Sequence, residues 1–242
     1  HVQFHWSEKW SEKWTSNVAL HYTLGKGYYE QYKEDQDFDF YNLEPIDIGD
    51  EIINTTDLIR RRWLDNDYYV INANANYKVD HLDISAGAFY SHYDGDHFGE
   101  VIWAQYASDS QIRDRYYNGN GTKTDLSFFV KGTYRVSDKI SLFADLQTRH
   151  VSYKTTGTNS DVIEFLVDKN FNFFNPKAGI TYKLNSNNSL YFSYARANRE
   201  PNRDDFENNA NIKPEQLSDF ELGWRHSSIT FRFNTNLYYM LY

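Results

Sequence analysis

Two carboxylates beside an imidazole, in Tyr93-Asp94-Gly95-Asp96-His97, form the grouping best suited to acid–base chemistry. Such chemistry needs a base held against a nucleophilic water, which adjacency in sequence does not supply. Asp-Gly-Asp is also ordinary turn composition, so a loop is expected here and catalysis is the minor alternative. A second grouping, Arg196, Arg199 and Arg203 with Tyr194, falls in and beside the polar stretch Ala195–Gln216. Guanidinium groups grip carboxylates and phosphates bidentately, so these four are the candidate ligand-binding residues for an anionic solute such as an iron chelate. Glu200, Asp204, Asp205 and Glu207 share the stretch, and internal pairing competes with that role. The eight histidines are scattered singly, with no pair at i, i+4 spacing on a helix, and there is no cysteine. The acidic run Glu34–Asp39 lacks EF-hand spacing and reads as a solvated face. No metal site and no cofactor are expected.

The elements that must position these residues are clearest from Phe171 to Tyr242. Ala178, Ile180, Tyr182 and Leu184 alternate with Lys177, Gly179, Thr181 and Lys183. After the turn Asn185–Asn188, Leu190, Phe192 and Tyr194 alternate with Tyr191, Ser193 and Ala195. Phe220, Leu222 and Trp224 follow, against Asp219, Glu221 and Gly223. The run Ile229–Leu241 then carries its odd-numbered apolar residues against Arg232, Asn234 and Asn236. Period two assigns each set to one face of a strand. The same unit recurs upstream: Val2–Ser7, Trp14–Leu24, Tyr69–Tyr77, Leu82–Tyr90, Leu126–Tyr134 and Ile140–Leu146. Short polar turns are expected near residues 8–13, 78–81, 136–139, 185–188 and 226–228. Between them lie four long excursions, about Gly25–Asp65, Ser91–Lys123, Thr155–Asn170 and Arg196–Gln216. The first holds ten Asp or Glu against three Lys or Arg up to Arg60. The second contains Gly119-Asn120-Gly121, a turn signal.

Long connections at one end and tight turns at the other match a transmembrane barrel, with short periplasmic turns and long extracellular loops. Soluble sandwiches rarely lengthen only alternate connections. The polar set contains Lys131, Asp145, Asp219, Glu221 and Arg232, which a dry core could not hold unpaired. These five are expected to face a lumen. Aromatic content supports the same reading: of 242 residues, 21 are Tyr, 17 Phe and 6 Trp. Trp6, Trp14, Tyr77, Tyr134, Tyr182 and Trp224 lie at the short-turn ends of their strands, as an interfacial girdle would. No apolar run is long enough for a membrane helix. The net charge of −9 argues against a nucleic-acid partner.

Several segments resemble the barrel domain of TonB-dependent outer-membrane receptors of Bacteroidetes type. They are Asn175–Tyr182, Asn188–Arg196, Ala19–Glu30, and Lys213-Pro214-Glu215-Gln216 followed by Phe220-Glu221-Leu222-Gly223. The resemblance implies an all-β, antiparallel up-and-down transmembrane barrel, here about ten strands of a 22-stranded wall, without the plug. It further implies uptake of a scarce large solute (siderophore-iron, haem, cobalamin or glycan) with energy from the TonB complex. The partners would be outer-membrane lipid and that cargo, and the location the bacterial outer membrane. The chain begins and stops within strands, so the first and last strands are expected not to pair with each other. The alternative is a closed ten-stranded outer-membrane protease resembling the omptins, with Asp94, Asp96 and His97 converging at its rim.

Overall fold

The computed structural model describes residues 1–242. In chain order the strands are β1 (Val2–Lys9), β2 (Trp14–Asp37), β3 (Ile46–Ile48), β4 (Glu51–Ile53), β5 (Thr55–Val79) and β6 (Leu82–Ala104). They continue with β7 (Arg115–Arg135), β8 (Ile140–Gly157), β9 (Val167–Lys183), β10 (Asn188–Arg199), β11 (Glu215–Ser227) and β12 (Arg232–Leu241). One short helix, α1 (Arg203–Asn208), lies between β10 and β11. All strands except the β3–β4 hairpin form one ten-stranded antiparallel sheet, ordered as in the sequence. Its edges are β1 and β12, and no ladder joins them. The sheet is therefore an open section of wall, as expected, and the closed ten-stranded alternative is not what forms.

The tight turns stand in one row. Lys78 N donates to Lys13 O, Arg135 N to His81 O, Lys183 N to Lys139 O and Ser227 N to Asn187 O, at 2.8–2.9 Å. At the opposite end Asn118 N donates to the Thr158 hydroxyl at 2.9 Å, and Asn159 Nδ2 to Glu207 at 3.3 Å. Phe38 packs with Tyr116 and Tyr117 in the same region. All long connections thus share one end.

Register separates the two faces. The row Ile84–Gly132–Ala144–Ala178–Tyr194 and the row Tyr134–Leu142–Ile180–Phe192–Leu222 lie on one face. That outer face is apolar and exposed, with Phe128, Val130, Leu142, Leu146, Phe192 and Leu222 each 43–54% accessible. An apolar band of this kind is stable only against lipid. On the inner face, large rings lie flat over glycines of the neighbouring strand. A Cβ on Gly223 would meet the Tyr191 ring at 2.1 Å, and one on Gly87 the Phe129 ring at 2.7 Å.

The strands outrun their sequence boundaries at the loop end. β2 and β5 pair continuously from Trp14–Tyr77 to Lys33–Leu58, so both flanks of the stretch expected to be an acidic loop are strand. Here lipid no longer enforces alternation, and outward positions carry Lys26, Glu30, Arg61 and Asp65. Gly119-Asn120-Gly121 is not a turn; it lies within β7, where a Cβ on Gly119 would come 2.7 Å from Thr158 O. At the other end, β1 runs on to Lys9. β12 starts only at Arg232, because Ser228 closes a turn with Phe231 through three hydrogen bonds, two of them made by its hydroxyl.

Candidate functional site

The five polar residues expected to face a lumen share the face of the sheet opposite the apolar one. Lys131 pairs in register with Asp145, Asp145 with Lys177, Lys177 with Ala195 and Ala195 with Asp219, one row across five strands. Lys177 Nζ lies 3.9 Å from Asp145 Oδ2. Glu221 shares the face, accepting from the Tyr191 hydroxyl at 3.4 Å, and Arg232 occupies it next to the turns, opposite Ser227. The arrangement is a charged wall rather than a pocket.

Concavity appears nearer the loops. There the bulged upper strands and the segment 158–166 enclose a cavity of about 650 Å³ lined by Tyr29, Arg62, Leu64, His97, Tyr117 and Ser160. An adjoining cavity of about 330 Å³ shares His97, Tyr117 and Ser160 and reaches Arg203, Asp204 and Glu207. Arg62 is the hub of this cleft. It donates to the hydroxyls of Tyr116 and Tyr29 at 3.3 Å each and to Ser160 O at 3.2 Å, tying β5 to the covering segment. Burial, helped by the Arg203 cation, pushes the His97 imidazole below its ordinary pKa despite Asp96. Burial likewise pushes the Tyr117 phenol up to about 12. At neutral pH the cleft therefore presents neutral ring donors and acceptors between Arg62 and the Arg203–Glu207 ion pair.

A second network lies where the β10–β11 connection begins. Arg149 on β8 donates to Asp125 at 2.7 Å and bidentately to Glu200 at 2.6 and 3.0 Å, while Lys123 Nζ lies 2.6 Å from Glu200. Burial by itself would raise the Glu200 carboxyl, but hydrogen bonds from Arg149 and Lys123 outweigh it and hold the group at about 2. Glu200 begins the β10–β11 connection, so the network fixes where that connection leaves the wall. α1 is then closed by a capping box in which Asn202 and Asp205 exchange hydrogen bonds.

The residues singled out in the sequence are only partly brought together. Tyr194 and Arg196 sit at even positions of β10 and project from the outer, lipid-facing side, opposite Phe220 and Ser218. Arg199 is on the inner side and pairs with Glu215 at 3.3 Å. Arg203, on α1, pairs with Glu207 at 3.0 Å and lines the cleft. The four do not converge, because two residues along a strand keep a face and three exchange it. The same parity divides the acid–base grouping. It is a strand rather than a loop, with Asp94 and Asp96 outward, both bound by Asn120 Nδ2 at 2.8 and 2.9 Å, and His97 inward. No catalytic convergence of those three is possible. Arg62, Arg149 and Tyr117 were not singled out by sequence, and Glu200 was named there only as an internal partner for the arginines of its own stretch. The only available sign was the run of three arginines Arg60–Arg62 inside an otherwise acidic stretch.

Among solved structures, the siderophore receptor PiuA from Acinetobacter baumannii superposes with a TM-score of 0.66 at 15% identity, over 98% of this chain and 39% of that one. The ferric-catecholate import receptor Fiu from E. coli K12, in its closed form, gives 0.64 at 15%, over 98% and 39%. The copper transporter OprC gives 0.70 at 12%, over 98% and 37%. The chain thus spans little more than a third of each of these structures. No curated protein sequence matches it. The family model for the TonB dependent receptor-like β-barrel matches residues 2–242. With its one-ended loops, apolar outer belt and polar inner wall, the chain belongs to the TonB-dependent receptor β-barrel family of the bacterial outer membrane.

Proposed function

We propose that this chain is part of the wall of an outer-membrane receptor that binds a scarce, large solute outside the cell and admits it with energy supplied through TonB. No covalent chemistry is required of it. The observation that carries this reading is the cleft at the loop end of the inner wall, where Arg62 and Arg203 flank His97, Tyr117 and Tyr29. Permanent cations among aromatic rings suit an anionic, ring-bearing cargo such as a ferric siderophore, through charge-assisted hydrogen bonds and stacking. Haem, cobalamin and glycans are the other cargo classes. Arg199 would extend the cationic rim. Below the cleft, Lys131, Asp145, Asp219, Glu221 and Arg232 would form the surface against which a plug domain rests.

The test is uptake by the host bacterium after deletion of the intact gene, measured with labelled ferric siderophores, haem, cobalamin and oligosaccharides. Uptake of one of these should be lost, and dissipating the proton-motive force in the parent strain should abolish the same uptake while surface binding persists. Unchanged uptake of the whole panel would refute the reading. Retained energised uptake in an Arg62→Ala, Arg203→Ala double variant would remove the cleft from it.

A further inference from the structure

The inner wall has a second concavity, at the end away from the cleft. Where β9 to β12 meet their tight turns, Lys183, Arg225, Arg232, Asn187, Ser189 and Asn234 contribute to a pocket of about 400 Å³. No carboxylate and no apolar side chain lines it. Register builds it. Lys183, Ser189, Arg225 and Asn234 are successive partners in one row across four strands, and Arg232 stands opposite Ser227 in the next inward row. None of the three cations takes part in an ion pair. The chain as a whole carries a net charge of −9, so this concavity opposes the sign of the rest. A cleft lined by one sign of charge focuses its field and concentrates counter-ions.

The central cation is held in place. Tyr191 pairs in register with Gly223, and its ring lies flat there because Gly223 has no Cβ, which would meet the ring at 2.1 Å. The Arg225 guanidinium is centred 4.3 Å from that ring, and such stacking fixes the plane of its donor fork. Glu221, the next carboxylate along the inner side of β11, is on the other side of Gly223. It accepts from the Tyr191 hydroxyl at 3.4 Å. The ring therefore stands between Arg225 and the carboxylate best placed to neutralise it.

We propose that this pocket is an anion site at the periplasmic mouth, where carboxylate or phosphate groups of the departing solute are held between Arg225, Arg232 and Lys183. The inference rests on the uptake reading and adds a second station to the cleft at the loop end. The two stations differ in kind. Around Arg62, aromatic rings can contact the body of a ligand; here the partners are amides and hydroxyls, and only an anionic handle is gripped. All three cations are exposed, so salt screens the attraction and the hold is weak enough for release.

Citrate serves as the probe, titrated into the intact receptor purified in detergent and carrying a fluorophore on Ser186→Cys in the lining turn. Tripolyphosphate should compete, and the uncharged trimethyl ester of citrate should not. The double variant Arg225→Gln, Arg232→Gln should weaken the citrate response about tenfold, the loss expected for charge-assisted hydrogen bonds. Tyr191→Leu, which removes the ring beneath Arg225, should weaken it about threefold. Lys183→Gln is the milder substitution should the double variant fail to fold, as judged by heat-modifiable gel mobility. In cells the double variant should bind the transported member of the labelled panel as the parent does and import it about tenfold more slowly. An equal citrate response in wild type and folded variants would overturn the proposal. So would no response in the wild type, as when the receptor's own carboxylates fill the pocket, or import by the double variant at the parental rate. Failure of the uptake reading is separate: no panel member would be transported, while the titration on purified protein still decides whether the pocket binds anions.

Discussion

The two ends of the wall are built by different physics. At the turn end the ladders run without a register shift, and β1 and β12 are exposed along their whole length. At the loop end lie all three register irregularities, at Lys33/Gln36, Ile59/Arg60 and Gly99/Glu100. The protein's buried apolar residues are there as well, Phe38, Tyr41, Leu58, Tyr116 and Phe206 among them. The turn end needs no core of its own because lipid covers one face and the neighbouring strands satisfy the backbone. Above the membrane that cover is gone. The connections must fold onto the inner wall and build a small water-excluding core, and the bulges bend the strands to receive it. The lesson is that a strand can be continuous while what stabilises it changes halfway along.

The sharpest way to break this comparison is at the Arg149–Glu200 pair. Arg149→Ala leaves two largely buried carboxylates, Glu200 and Asp125, without their main cation and should cost about 3–5 kcal/mol of loop-end stability. Hydrogen exchange on the intact barrel should show amides around Val151 and Phe206 opening, with Lys131–Leu146 still protected; uniform loss along β8 would contradict a two-part wall. Acid acts at the same place. The Glu200 carboxyl is depressed from 4.5 to about 2, so its contribution is whole above the unfolded value and is lost as pH falls through about 2. Proteolysis of the α1 segment should rise over that window, and Glu200→Gln should flatten the dependence.

At the turn end the expected weak point is the lipid face. Val130→Arg should cost about 2–4 kcal/mol in unfolding from vesicles, the range for a charge near the midplane. Ser141→Arg, on the inner face, should stay within about 0.5 kcal/mol. Equal costs would mean that the outer belt does not face lipid. A smaller effect is expected at Gly157, whose φ of +90° and approach to Asn118 O leave no room for a side chain. Gly157→Val should cost about 1–3 kcal/mol and loosen the cover over the cleft, seen as faster exchange at Asn159 without change at the turns. The smallest is Asn202→Ala, which removes one cap from α1 and should cost about 1 kcal/mol, read as increased protease sensitivity of Arg203–Asn208 alone.

The sequence by itself determined the lower half of this protein. Strict alternation in Leu126–Tyr134, Ile140–Leu146 and Leu190–Tyr194, with girdle aromatics beside the turns, fixed strand, face and membrane level. In lipid a one-residue slip exposes a whole charged face, so the pattern must be kept. Lys131, Asp145, Asp219, Glu221 and Arg232 were assigned to the inner face by that parity alone. The candidate site was legible only in part. Arg203 reaches the cleft, but Tyr194 and Arg196 turn outward, and Asp94 and Asp96 are separated from His97 by the thickness of the sheet. Nearness in sequence had suggested convergence where the pleat enforces opposition. Only the tertiary structure decided that the strands continue through Lys26–Lys33 and Ile59–Asp65, and that Arg62 meets Ser160 from 98 residues away. Beyond the bilayer both faces of a strand can be polar, so composition no longer reports orientation. What Arg62, Arg149 and Glu200 touch is set by how separate connections fold back on the wall.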